Sequence, residues 1–224
     1  MKNFLIISLF FLIVGCPKLI DEPSLIEKNG VMYLPLSDKP YSGDVSKLDN
    51  FGKKLLKGTY KNGKKDGLWT WWYENGQKRR ERTFKDGEQD GLWTQWFENG
   101  QKKWEGHYKD GKRDGLFIVW YEDGQMQSEY YYTDGKLDGL WTEWYEDGEK
   151  WFEHYYKDGK PDGPSTTWWK NGQKLEEENY TDGEEDGLFT KWYKNGQKLS
   201  EEHYKEGKLD GLHVWWYPNG NKMF

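Results

Sequence analysis

One pattern of apolar and polar positions recurs along most of the chain. In the unit 67–90, residues 68–73 are rich in β-forming side chains and end at a Glu-Asn-Gly turn. A second strand is expected at 77–84, which ends at a Lys-Asp-Gly turn. Asn-Gly and Asp-Gly supply the positive φ that tight hairpins need. The pattern therefore predicts two antiparallel strands per unit, because the segments between glycines are too short for a stable helix.

The unit recurs seven times at a step of 24 residues, with no insertion or deletion. Its clearest marker is the glycine of an Asp-Gly pair: Gly67, Gly91, Gly115, Gly139, Gly163, Gly187 and Gly211. A fixed period of this size is typical of stacked repeat arrays. We therefore expect an all-β protein, an elongated antiparallel meander of about seven 24-residue β-hairpin units. Residues 67–224 hold the regular repeats. A degenerate unit, 30–66, precedes them and is expected to cap the array.

Positions that stay unchanged between units predict how the strands pack. Both turns suit a three-residue loop with a glycine bulge, so Tyr73 would pair with Gln77 and Trp72 with Lys78. A two-residue loop would instead shift the second strand by one residue. With the longer loop, alternation sorts one unit into two faces, the first with Leu68, Thr70, Trp72, Lys78 and Phe84, the second with Trp69, Trp71, Tyr73, Gln77 and Glu81.

The first of these faces is expected to form an aromatic and aliphatic ladder that holds the array together. Its central tryptophan never changes: Trp72, Trp96, Trp120, Trp144, Trp168, Trp192 and Trp216. The positions that vary between units either determine which partner binds or reflect drift, and a single sequence does not distinguish these two explanations. The candidate partner surface drawn from them consists of Trp71, Arg79, Val119, Trp151, Lys191 and Trp215.

Composition supports a folded chain stabilised by aromatic side chains. Only 34% of residues are hydrophobic and 32% are charged, but the 15 Trp, 16 Tyr and 10 Phe make up 18% of the sequence. Aromatic side chains bury large areas, which argues against disorder. The net charge is -6 and the bases form no stripe, so nucleic acid is a poor candidate partner.

The first residues predict an export signal with a lipid anchor. Lys2 precedes the apolar run 4–14, which is too short to span a bilayer as a stable helix. The run leads into Ile-Val-Gly-Cys, which resembles a bacterial lipobox with Cys16 as the lipidated residue. A signal peptide cut elsewhere is the alternative. The expected organisation is a signal peptide at 1–15, a tether at 16–29 and the array at 30–224. The expected location is the bacterial cell envelope, as a lipid-anchored membrane protein.

The repeat unit resembles a known family. Residues 66–78, Asp-Gly-Leu-Trp-Thr-Trp-Trp-Tyr-Glu-Asn-Gly-Gln-Lys, and the copy at 186–198 are similar to the bacterial variant of the MORN repeat (membrane occupation and recognition nexus). Residues 32–43 also resemble the start of YwqK-type antitoxin proteins. The resemblance covers about residues 30–224. It implies an elongated β array that binds without catalysis, with a toxin as the partner of YwqK-type proteins.

No arrangement of reactive side chains predicts an enzyme, a cofactor or a metal site. The histidines are His107, His154, His203 and His213, and their spacing matches no metal motif. We therefore predict a non-catalytic, envelope-anchored scaffold that binds a protein, with a toxin and an antitoxin- or immunity-like role as one candidate. Edge-to-edge self-association is a further expectation. The alternative is a carbohydrate or cell-wall ligand bound by exposed aromatic residues.

Overall fold

The computed structural model describes residues 20–211 and 213–223, which form strands joined by short turns. Before the repeats lie β1 (Ile20–Asp21), a 3-10 helix (Glu22–Ser24), β2 (Ile26–Lys28) and β3 (Val31–Tyr33). The strands of the array are β4 (Gly43–Leu48), β5 (Lys54–Lys61), β6 (Lys64–Trp72), β7 (Lys78–Lys85), β8 (Glu88–Trp96), β9 (Lys102–Lys109), β10 (Lys112–Trp120), β11 (Met126–Thr133), β12 (Lys136–Leu137), β13 (Gly139–Trp144), β14 (Lys150–Lys157), β15 (Lys160–Trp168), β16 (Lys174–Thr181), β17 (Glu184–Glu185), β18 (Gly187–Trp192), β19 (Lys198–Lys205), β20 (Lys208–Leu209) and β21 (Val214–Trp215).

Strands β4 to β21 form one antiparallel meander. Each strand pairs with the strand before it, except β13, β18 and β21, which pair with the strand two before. The short strands β12 and β13 both pair with β11, and β17 and β18 pair with β16 in the same way. Strand β1 adds a parallel edge along β4, which completes a sheet of 19 strands. The predicted all-β fold and the meander of hairpin units are confirmed.

The two turns of each unit differ. At the Asn-Gly turn, the Tyr73 amide donates to the Gln77 carbonyl at 2.9 Å and the Gly76 amide donates to the Tyr73 carbonyl at 2.9 Å. Trp72 pairs with Lys78. This is the predicted three-residue loop with its glycine bulge.

The Asp-Gly turn has two residues, so a three-residue loop was the wrong prediction there. Lys85 pairs directly with Glu88. Asp86 and Gly87 between them have φ values of 50° and 95°. Two successive residues with positive φ make a type I′ turn, and aspartate tolerates that conformation better than most residues.

A β-bulge behind each Asn-Gly turn changes which side chains share a face. Trp72 pairs with Lys78, but Trp71 pairs with Arg80, so Arg79 is an extra residue on the second strand. Because side chains alternate with a period of two, one extra residue moves the rest of that strand to the opposite face.

The predicted faces were therefore wrong for the second strand. Phe84 lies beside Trp69, with ring centroids 6.3 Å apart, and Glu81 lies opposite Thr70. In the structure the aromatic face carries Trp69, Trp71, Arg80, Arg82 and Phe84 and their equivalents in other units. The Lys–Trp face carries Leu68, Thr70, Trp72, Lys78 and Glu81 and their equivalents. The predicted ladder of Leu, Trp and Phe does not form, and Leu68 is 56% exposed.

The Asp-Gly pair that marks each repeat, such as Asp90-Gly91 in β8, is distinct from the Asp-Gly turn and lies in the strand region of the unit. Between the pairs Arg82–Trp93 and Phe84–Gln89, only Thr83 lies opposite the three residues 90–92. Gly91 has a φ of 113° in this irregular segment, a conformation that L side chains rarely adopt. The glycine of the marker therefore allows a second bulge in each unit.

The N-terminal end of the aromatic face is covered by the segment before the array. Its buried cluster consists of Leu25, Tyr41, Val45, Leu56, Tyr60, Trp69, Trp71 and Phe84, with Ile20 and Met32 packed against it. The amide of Met32 also donates to the Gly63 carbonyl at 2.9 Å. Residues 20–29 therefore belong to the fold, which corrects the tether predicted for 16–29, since a lack of period does not mean a lack of structure. Residues 1–19, including Cys16 and the predicted signal, lie outside the described residues.

Beyond this cover, the aromatic face is filled by pairs of side chains that compensate for each other across strands. Phe117 is fully buried over Gly106, where a Cβ would lie 2.3 Å from the ring. Two units further along, His154 pairs with Ser165. There the large side chain stands at the position of Gly106 and the small one at the position of Phe117. His154 and Ser165 are 6% and 3% exposed. The ladder therefore stays packed although neither column is constant.

Candidate functional site

The Lys–Trp face repeats one arrangement of three side chains. Lys78 Nζ lies 2.7 Å from Glu81 Oε1 on its own strand and 5.5 Å from the ring centroid of Trp96 in the next unit. The same contacts recur for Lys102, Lys150, Lys174 and Lys198. Five of the seven unchanging tryptophans thus lie half-buried beneath a lysine of the preceding unit and link one unit to the next: Trp96, Trp120, Trp168, Trp192 and Trp216. This is a structural role, consistent with their lack of variation.

The hairpin tips also connect successive units. The Tyr73 hydroxyl donates to the Trp96 carbonyl at 2.8 Å, and Asn75 Nδ2 donates to the Glu98 carbonyl at 3.0 Å. The hydroxyls of Tyr121, Tyr145 and Tyr193 each donate in the same way to the carbonyl of the tryptophan 23 residues later in the chain. Asn75 Oδ1 meanwhile accepts from the Gln77 amide. One side chain therefore shapes its own turn and holds the next one.

The first half of the aromatic face is basic. The Arg82 guanidinium lies 3.7 Å from the ring centroid of Trp93, and that of Arg80 lies 4.3 Å from the ring centroid of Trp71. Arg113 lies 5.1 Å from the Tyr132 ring and donates to its hydroxyl at 2.7 Å. Burial, followed by the neighbouring Arg82, lowers the pKa of Arg80. These cations are therefore held over aromatic rings, partly out of water.

The second half of the same face is acidic. Burial raises the pKa of Glu178 to about 7, and the adjacent Glu176 adds to this effect. The Tyr180 hydroxyl donates to Glu178 Oε2 at 2.9 Å. Lys191 Nζ lies 2.5 Å from Glu176 Oε1, and the Tyr204 hydroxyl donates to Glu202 at 2.9 Å. Carboxylates thus occupy the strand positions that hold arginines in the first half.

The candidate partner residues do not form one surface. Trp71 is 8% exposed and belongs to the N-terminal core. Lys191 is in an ion pair with Glu176. Trp151 and Trp215 are 44% and 40% exposed. Arg79 is exposed at a bulge and Val119 is half-buried.

Sequence reasoning missed the charged residues of the aromatic face. The arginines are Arg80, Arg82 and Arg113, and the carboxylates are Glu143, Glu176, Glu178, Glu185 and Glu202. The signal was present in the repeat columns, because the column of Arg82 changes from basic to acidic along the chain. It required the correct face assignment, which depends on the bulge at Arg79.

One cavity among the described residues has a volume of about 800 Å³. It lies near the first hairpin tip and is lined by Trp71, Trp72, Tyr73 and Arg79, together with Glu22 of the N-terminal segment. Within residues 20–211 and 213–223, no group of three or more His, Cys, Asp or Glu is placed to hold a metal ion. The same ranges contain no helix whose length and hydrophobicity would suffice to span a bilayer.

The repeat geometry agrees with a comparison against known families. The model described as MORN repeat variant matches 65–86, 89–110, 113–134, 137–158, 161–182 and 185–206, more than half of the chain. The chain belongs to the MORN repeat variant family. Each matched MORN segment covers one hairpin with its three-residue turn, as in β6–β7. MORN repeats in general bind proteins or membranes. A comparison with curated proteins finds no match.

Proposed function

We propose that this MORN-repeat chain is a non-catalytic scaffold that binds another protein at the bacterial cell envelope. The observation that carries the proposal is the uninterrupted sheet, whose units are linked by repeated Lys–Trp and hairpin-tip contacts while the side chains on one face vary in charge from unit to unit. Repeat arrays use such extended faces for binding. A constant step leaves no inserted loop around which a catalytic site could be built.

The proposed anchor is a lipid on Cys16, with residues 1–15 removed as a signal peptide. Support comes from the lipobox-like end of the apolar run. Stable membrane attachment usually needs two membrane-binding groups, such as two lipid chains, because one chain binds only weakly. A single acylated residue can carry more than one lipid chain. Replacing Cys16 with serine should move the protein from the membrane fraction to the soluble fraction. A Cys16→Ser protein that stays with the membranes would contradict the anchor but leave the scaffold untouched.

The proposed partner is a secreted, toxin-like protein, as the resemblance to YwqK-type proteins implies. Trp151 is the best candidate anchor for it, because it is 44% exposed and large aromatic residues dominate interface energies. Tyr155 on the same strand is 43% exposed and is the matched control.

The experiment starts from the tagged chain recovered from detergent-solubilised membranes, followed by purification of the protein that copurifies in stoichiometric amount. We expect Trp151→Ala to weaken its binding at least about tenfold and Tyr155→Ala to leave binding unchanged. Recovery of no specific protein, together with quenching of Trp fluorescence by muropeptides, would favour the carbohydrate alternative. Equal loss in both variants would contradict the choice of Trp151.

A further inference from the structure

The charge of the aromatic face changes sign along the array. From β6 to β11 its defining positions carry bases and no acidic residue: Lys65, Arg80, Arg82 and Arg113. From β13 to β19 they carry mainly carboxylates: Glu143, Glu176, Glu178, Glu185 and Glu202. Only Lys191 among the corresponding positions of this half is a lysine or arginine, and it pairs with Glu176.

These two groups of charges are too far apart to neutralise each other within one chain. Eight strand spacings separate β7 from β16 in the meander, which corresponds to about 40 Å. Charges interact across water only over a Debye length of about 8–10 Å at physiological salt. Each half therefore keeps its own like charges close together.

Each half also shows the cost of burying its charges. The pKa values of Arg80 and Arg82 are lowered, mainly by burial, and that of Glu178 is raised by burial and by Glu176. The Nε atoms of both arginines are buried without a hydrogen-bond partner among the described residues. An opposite charge placed over either half would relieve this strain.

We propose that two copies of this chain pack aromatic face against aromatic face in opposite directions. With the two-fold axis at β11, Arg80 and Arg82 of one copy then meet Glu176 and Glu178 of the other. Arg113, on β10 and nearer the axis, faces the strand that carries Glu143. The symmetric contacts form at the other end. This is an isologous interface, in which one surface is its own complement. The aromatic stretch where the two halves meet, with Phe117, Tyr130 and Trp141, lies at the two-fold axis.

The surface available suits such a pairing. The N-terminal segment covers the face near Trp69, Trp71 and Phe84, while Arg80 and Arg82 on β7 remain partly exposed and the face lies open beyond them. Sheets pack face to face about 10 Å apart, a gap that an arginine and a glutamate can bridge together. The strip from β7 to β19 is roughly 50 Å by 13 Å from strand spacings and rises, or about 1,300 Å² for two copies, within the range of stable interfaces.

The test is a charge exchange followed by sedimentation equilibrium of the full chain in a density-matched nonionic detergent. The first variant carries Arg80→Glu, Arg82→Glu and Arg113→Glu, and the second carries Glu178→Arg, Glu185→Arg and Glu202→Arg. We expect a wild-type dimer at about 100 µM that weakens at least about tenfold between about 50 mM and about 500 mM salt. Each variant alone should be monomeric, and an equimolar mixture should dimerise.

A matched control carries the same change of charge on the opposite face, through Lys85→Glu, Lys109→Glu and Lys112→Glu, and should remain dimeric. A monomeric wild type at low salt would overturn the proposal. So would variants that dimerise alone as wild type does, the result expected for edge-to-edge association. Circular dichroism checks folding, and if a triple variant is unfolded, the glutamine versions of the same residues replace it, with loss of dimer as the expected result.

Discussion

The two ends of the sheet bury equivalent positions by different means. At the N-terminal end Trp69 is fully buried, because the segment that contains Leu25 lies over it and Gly58 lies beneath its ring. In the second half the equivalent position is Ser165, and a ring from the paired strand, that of His154, fills the space. Burial in this array therefore depends on what lies over and across from a position, and less on the residue type of its column.

The largest expected effect separates the covered end from the open one. Trp69→Ala should destabilise the protein by about 3–5 kcal/mol, because it leaves a cavity in a closed core. Trp141→Ala, at a half-buried equivalent position, should cost about 1 kcal/mol less, since solvent can enter the space. Urea unfolding followed by circular dichroism measures both. Leu68→Ala, next to Trp69 but 56% exposed, should change stability by less than about 0.5 kcal/mol.

Exchanging a compensating pair should make the second half resemble the first. His154→Gly alone should cost about 2–4 kcal/mol, because it empties the space beside Ser165. The double variant His154→Gly, Ser165→Phe reproduces the arrangement of Gly106 and Phe117 and should recover at least about 1 kcal/mol of that loss. Additive losses in the double variant, seen in the same urea titration, would contradict cross-strand compensation.

A pH dependence should appear in the acidic half. The pKa of Glu178 is raised to about 7, so its protonated form is favoured in the folded state. Its contribution to the stability of the folded state is fully present below the ordinary carboxyl pKa and is lost as pH rises through about 7. When the pH is lowered from about 8 to about 5, the free energy of unfolding of the wild type should rise by about 1–2 kcal/mol more than that of Glu178→Gln, after allowance for solvent screening. Arg82→Gln changes the equivalent position of the basic half and should keep the wild-type pH slope.

Loss of a hydrogen bond between hairpin tips should have a small effect that is the same in both halves. Tyr73→Phe and Tyr145→Phe each remove one hydrogen bond between hairpin tips, at a cost of about 0.5–1 kcal/mol. Phe97 occupies the same tip position without a hydroxyl, so Phe97→Tyr should stabilise the protein by a similar amount. Unequal losses, measured by hydrogen exchange at each tip, would mean that the two halves also differ in how their units are linked.

Much of the fold could be predicted because turn residues act locally. Gly76 must adopt positive φ to close the three-residue turn, and the neighbouring pair of Trp72 with Lys78 follows from that loop length. The second turn was mispredicted, because Asp-Gly is compatible with both loop lengths and the choice depends on whether Asp86 also adopts positive φ. The candidate partner surface was less predictable still, because Trp71 varies between units yet is buried by a segment with no repeat.

The sequence by itself determined the period, the two strands of each unit, the three-residue Asn-Gly turn and the repeat family. Those features depend on interactions between residues close in the chain, which a repeated pattern records. The tertiary structure decided which side chains share a face, because the single extra residue at Arg79 reverses the alternation of a whole strand. It also decided that the array has a covered end, and that basic and acidic halves lie on one continuous face, since both depend on contacts between residues far apart in the chain.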